Sequence, residues 1–263
     1  MRKPKAFTLI ELMIVIAIIA LLMAIMVPAV ERVKKNAKAV VCQSNLREWG
    51  IVWKLHADDH QGFFTPDLGH GKYAALARPE LKVYYKNDKL LLCPMATKPY
   101  PPDGSGQNPF GAWRSPLLDD PLGRPPASYG INTWIVKNAT AVGQIDRLMW
   151  KTLYVKKSAS VPMVFDCAGY QNINPWHHDE PPEWNGHWVR GTSEHEMRYV
   201  CLDRHNERVN GVFFDLAVKP IALKQLWELK WHRSWYKGKG TVTDYTPPVW
   251  PEWMAHMKDY ARK

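Results

Sequence analysis

Three groups of side chains in this 263-residue chain have the types that chemistry requires. Cys42, Cys93, Cys167 and Cys201 could bind a metal as thiolates or cross-link the chain as disulfides. They contain no C-x-x-C pair and are widely spaced, which weighs against zinc. Imidazole and carboxylate groups form the second set. Asp166, His205 and Asp215 fall on strand-like segments that a sheet could bring together. His177, His178, Asp179, Glu180, Glu183 and His187 crowd one irregular stretch. Either set suits a divalent ion, although Pro175, Pro181 and Pro182 deny the second any helical spacing, and His205 and Asp215 could equally tie strands by hydrogen bonds. The third is a single carboxylate, Glu11, at the head of an apolar run. A nucleophile elbow, a phosphate loop and an H-E-x-x-H motif are all missing, and Asp119-Asp120 reads as a surface turn. The chain is not expected to be an enzyme.

The element that positions Glu11 explains why it is unusual. Leu12 to Val30 is nineteen residues without a formal charge, close to the roughly 20 needed to cross a bilayer. A basic leader, Arg2-Lys3-Pro4-Lys5, precedes it. A secretory signal is the plain alternative, with Ala29 near its cleavage site, but the run exceeds a signal's apolar region and carries Glu11 where a signal has no charge. The string Ala6-Phe7-Thr8-Leu9-Ile10-Glu11 resembles the N-terminus of type IV prepilins and type II secretion pseudopilins. The resemblance implies a leader, residues 1–6, removed by prepilin peptidase before Phe7, with methylation of the new terminus. Ala6 stands where the family usually has Gly.

A carboxylate within a membrane helix costs up to about 2.5–3.5 kcal/mol on insertion scales and calls for a partner. Cleavage would make one: the new amine of Phe7 in a neighbouring subunit would pair with Glu11 and register the stack. Helix packing in lipid otherwise rests on close contact, here through Ala17, Ala20 and Ala24. Pro28 lacks an N–H and is expected to kink or locally melt the helix near residues 24 to 28.

The net charge of +10 falls by three, to +7, when the leader leaves. Its charges are interspersed with acids, so a solvated surface rather than a nucleic-acid partner is expected. Arg32, Lys34, Lys35 and Lys38 compete with the leader for the cytoplasmic side. The resemblance decides the orientation: N-terminus cytoplasmic, single pass through the bacterial inner membrane, head periplasmic or on an assembled filament. In that oxidising compartment one or two disulfides are expected, with Cys42–Cys93 and Cys167–Cys201 favoured among three possible pairings.

Beyond Pro28 the residues Val30, Val33, Ala37, Val40, Leu46, Trp49 and Trp53 recur at steps of three and four, so the helix continues as an amphipathic one. It is predicted over residues 7–57, with 7–30 in the membrane and a length of roughly 75 Å. Residues 58–263 form the head. Strands are expected at 81–85, 89–93, 129–136, 160–166, 197–202, 209–215 and 217–223. Residues 94–126 form a Pro-rich loop. The tail, 223–263, is rich in Trp, expected mainly as core and alternatively as a sugar-binding or partner-binding platform. The fold class is α+β: a long N-terminal helix packed on a head with an antiparallel sheet.

A second resemblance is carried by Cys42-Gln43-Ser44-Asn45-Leu46-Arg47, Leu92-Cys93-Pro94, Ser128-Tyr129-Gly130-Ile131-Asn132 and Arg204-His205 followed nine residues later by Asp215. It is similar to a group of pilin-like proteins with a C-terminal H-x9-DG signature. Leu216 replaces the final Gly, so the turn is expected to use another geometry. The pseudopilin resemblance also implies calcium in the head, with Asp166, His205 and Asp215 as candidates. Self-assembly with other pilin-like subunits is the expected role. The alternative is an anchored module whose loops bind polysaccharide or secreted cargo.

Overall fold

The computed structural model describes residues 8–64, 76, 79–99, 108–112, 126–135, 146–168, 172–187, 195–235 and 248–259. The leader, Ala6 and Phe7 lie outside these, as does most of the Pro-rich segment. The chain divides into two compact units, Met1–Lys38 and Ala39–Lys263.

Helix α1, Leu9–Asp59, runs through both. Its start is a capping box: Thr8 precedes the first turn, its N–H and hydroxyl donate to Glu11 Oε2 at 2.9 and 2.7 Å, and the Glu11 N–H approaches the Thr8 hydroxyl at 3.3 Å. The box satisfies N–H groups that a helix start otherwise leaves open. Through residue 38 every described side chain is exposed, although nearly all of them up to Val30 are apolar. The helix is long and apolar enough to cross a membrane. It is continuous through Pro28, and residues 24–28 are helical. The local melting expected there does not occur, because one missing donor leaves the rest of a long ladder intact.

In the second unit, Cys42, Leu46, Trp49, Gly50, Val52, Trp53, His56 and Ala57 form the buried face of α1. The apolar stripe expected from Val30 onward begins later than the spacing suggests: Val33 and Val40 are 66% and 64% exposed. Trp49 Nε1 donates to the Leu90 carbonyl at 2.8 Å and the Asn45 amide to Leu92 O at 3.0 Å, which fixes the segment after the helix.

That segment is not extended. Residues 81–85 and 89–93, expected as strands, contain the short helix α2 (Pro79–Lys82) and a 3-10 turn over Asp88–Leu91. Asn87 starts the turn by accepting the Lys89 N–H, and both leucines turn inward. A short apolar run reads alike as strand or buried turn. Strands β1 (Lys98–Pro99) and β2 (Gly111–Ala112) then pair in parallel.

The main sheet contains β3 (Tyr129–Asn132), β4 (Pro162–Asp166), β5 (Asn172–Ile173), β6 (Arg208–Phe213) and β7 (Val218–Ala222), in the order β5-β3-β4-β6-β7. Four strands are antiparallel, and β5 adds a parallel edge. Residues 197–202 are again a 3-10 turn, Glu196–Tyr199, held by the Met197 N–H on Asp179.

Alternation along the strands sends side chains to two cores. Ile131, Val164 and Val212 pack with the α1 face, whereas Phe165, Val209 and Phe213 pack with Trp227, Trp231 and Trp235 of the tail. These three tail tryptophans are therefore core. Their indole N–H groups are satisfied, Trp227 by Asp179 O at 2.8 Å and Trp231 by Leu226 O at 2.8 Å. The fold is α+β, with the sheet between helix and tail.

Candidate functional site

Asp166 ends β4 with no exposed surface and anchors the densest polar cluster of the head. The adjacent strand supplies the Asn210 N–H to Oδ2 at 2.8 Å. Arg204 Nη1 reaches Oδ1 at 3.2 Å, and His205 Nε2 lies 3.1 Å from Oδ2. From α1, Cys42 Sγ stands 3.6 Å from both carboxylate oxygens. Following the 3-10 turn, Cys93 Sγ is 3.4 Å from His205 Nε2. One ligand atom each from Cys42, Cys93, Asp166 and His205 can be chosen so that all lie within 4.8 Å of one another.

Arg204 explains how the chain can bury this charge. Its guanidinium carries five N–H donors. They reach Pro109 O, Ser128 O, Gly111 O, Cys167 O and Asp166 Oδ1 at 2.7 to 3.2 Å. The side chain thereby stitches the 109–111 segment, the entrance of β3 and the exit of β4 to the loop before β6. Ser128 completes the frame, accepting the Cys93 N–H on its hydroxyl at 2.7 Å. Words separated in sequence thus converge: Cys42, Cys93, Ser128, Tyr129, Arg204 and His205 all border one site.

The loop bearing His205 turns sharply. Asn206 and Glu207 both adopt positive φ, 60° and 62°, and the His205 N–H bonds Arg208 O at 3.0 Å. Asp203 holds the turn by accepting the Glu207 N–H at 2.6 Å.

The electrostatics follow from burial and pairing. Burial alone would raise the Asp166 carboxyl, but His205, Arg204 and the Asn210 N–H outweigh it and hold it down at about 2. Burial would lower His205, yet Asp166 and Cys93 push it up to about 10. Burial drives the Cys42 thiol well upward. Against the same burial, contacts with Cys42, His205 and Arg204 bring Cys93 down to about 7. Tyr129 faces this pair: its hydroxyl is buried and is driven up by burial and then by Cys42 and Cys93.

Of the three candidates read from sequence, Asp166 and His205 meet and Asp215 does not. Asp215 sits in the β6–β7 turn, accepting the Ala217 N–H at 3.1 Å, with Lys219 3.8 Å away. Calcium prefers six to eight oxygen ligands, and a set with two sulfurs and one imidazole does not fit it. Neither expected disulfide is formed; all four cysteines are free and buried. Cys42 and Cys93 nevertheless share the site. Cys167 turns to Ala168 O at 3.3 Å and Cys201 to Met254 Sδ at 3.9 Å. In the other candidate loop, Asp179 caps the 195–199 turn, Glu180 pairs with Arg198 at 3.1 Å, and His187 stacks on Trp184. These are structural contacts. Sequence reasoning missed Arg204, which only its adjacency to His205 could have flagged, and the capping box, which the T-x-x-E spelling of Thr8 to Glu11 announces.

Residues 1–27 match the family described as Prokaryotic N-terminal methylation motif. No curated protein and no solved structure matches the chain. The motif supports a type IV pilin-like precursor, and with the apolar helix it is consistent with membrane anchoring.

Proposed function

We propose that the chain is a structural subunit of a type II secretion or type IV pilus-like filament, cleaved before Phe7 by prepilin peptidase. The observation that carries this reading is the methylation motif on a helix whose first twenty or so residues are almost all apolar and uncovered, while its part from Ala39 onward is built into a folded head. The exposed apolar surface needs lipid before assembly and neighbouring subunits after it, because side chains of this kind gain on leaving water. The leader stays cytoplasmic and the head is periplasmic. In the assembled state Glu11 accepts the amine of a neighbouring Phe7, and the head is carried outward. Of the two C-terminal H-x9-DG-like residues, His205 and Asp215, only His205 joins the buried site, so the proposal rests on the N-terminal motif and not on them.

Mass spectrometry of protein from a host with the peptidase tests this. A mature terminus at Phe7, methylated, is expected; an intact Met1 would instead favour an anchored binding module. Glu11 needs a variant that separates its two roles. Glu11→Gln keeps the capping box, which Gln completes as well as Glu, and removes the charge. Insertion and cleavage are expected to be normal and filaments absent. Normal filaments from Glu11→Gln would remove the ion pair from the mechanism.

A further inference from the structure

We infer that Cys42, Cys93, Asp166 and His205 form a structural site for one zinc-class divalent cation. Tetrahedral zinc with these ligand types separates its donor atoms by roughly 3.3–3.8 Å, from metal–ligand distances of about 2.0–2.3 Å. The observed separations are 3.1 Å between His205 and Asp166, 3.4 Å between Cys93 and His205, and 3.6 Å between Cys42 and Asp166. All four donors lie within 4.8 Å of one another, a cluster that small side-chain adjustments would bring to the tetrahedral spacing. Two sulfurs with one imidazole select zinc-like metals over magnesium or calcium.

On loading, both thiols give up their protons to solvent and the ion takes their place, so the cluster keeps its net charge. Arg204 and the Asn210 N–H orient the Asp166 carboxylate, as supporting groups of metal sites do, and the Tyr129 hydroxyl faces the Cys42 sulfur. A Cys42 thiolate would accept that hydroxyl. All four ligand side chains are buried or nearly so, so the set is closed and the ion is structural rather than catalytic. It would tie α1 to the 3-10 turn, β4 and the loop before β6.

The test is cobalt titration of the reduced full-length chain in detergent, followed by zinc displacement. One cobalt per chain is expected, with thiolate-to-cobalt charge transfer and intense tetrahedral bands that zinc abolishes. Cys42→Ser and Cys93→Ser should each keep about half the charge-transfer intensity, because one of two sulfur ligands remains. Cys167→Ser should keep all of it. His205→Ala should weaken binding by more than the roughly 10–100-fold typical of a supporting residue. Four reactive thiols in a folded wild type that shows no sulfur-to-cobalt band would overturn the proposal. A Cys42–Cys93 disulfide in protein isolated from its own envelope would overturn it as well.

Discussion

Leu216 shows how a single position can contradict an expectation built on residue type. Its replacement of the signature Gly suggested a different turn, yet Leu216 adopts φ 62°, the conformation Gly favours. The turn closes through the Leu216 N–H on Phe213 O at 2.8 Å and the Phe213 N–H on Ala217 O at 3.1 Å. A non-glycine residue there costs about 1 kcal/mol or more. The compensation is packing, since Leu216 lies against the helix-side core and next to Gly50. Both single variants lose that contact, but only Leu216→Gly also relieves the backbone. Urea unfolding should place Leu216→Ala about 1 kcal/mol below Leu216→Gly. Glu196 permits a pH prediction of similar simplicity. Burial raises its carboxyl to about 8, partly against the Asn174 N–H, with Asp179 adding to the rise. The protonated form is thus favoured in the folded chain. Its contribution is complete below the ordinary carboxylate range and is lost as pH rises through about 8. Glu196→Gln should flatten this decline in stability measured by denaturant unfolding across that window.

Among the elements, α1 was the most legible from sequence, because length, apolarity and turn residues all act locally. Its expected span, residues 7–57, differs little from Leu9–Asp59. Its burial was less legible, because where an amphipathic face begins to be covered depends on the partner, not on the face. The strands that survive, β3, β4, β6 and β7, carry the β-branched and aromatic residues that pointed to them. Those lost at 81–85, 89–93 and 197–202 were short apolar runs that read alike as strand or buried turn; the second is capped by its neighbour Asn87 and the third is held by the distant Asp179. Gly50 marks the closest approach of helix and sheet: a Cβ there would stand 2.9 Å from Val212 Cγ2. Alanine normally gains about 1 kcal/mol over glycine in a helix. Gly50→Ala should instead destabilise the head by about 1–3 kcal/mol, the usual range for overpacking, as a lowered urea midpoint at unchanged slope would show.

At the scale of the molecule, the two units differ in what their stability requires. Among the described residues no buried core residue precedes Cys42, so a chain beginning at Ala39 should fold without detergent and give a cooperative thermal transition with native near-ultraviolet tryptophan signals. Loss of cooperativity on that truncation would mean that the first half of α1 supports the head. The site, by contrast, was only half visible in the sequence. Asp166 and His205 were legible as a pair, but the cysteines were set aside for lacking close spacing, and Asp215 was included for falling on a neighbouring strand. Linear spacing finds ligands that one turn or one hairpin presents. It cannot find a set drawn from four separate elements.

Those separations also bear on when the head forms. Cys42 meets Asp166 across 124 positions and Cys93 meets His205 across 112, contacts whose loop-closure entropy must be met before they return anything. Helix α1 needs only its neighbours and leaves the ribosome first. The chain therefore acquires its hydrophobic anchor early and closes its polar cluster late. Under the proposed topology, the apolar segment can reach the bilayer during synthesis while the head is still an open chain able to cross.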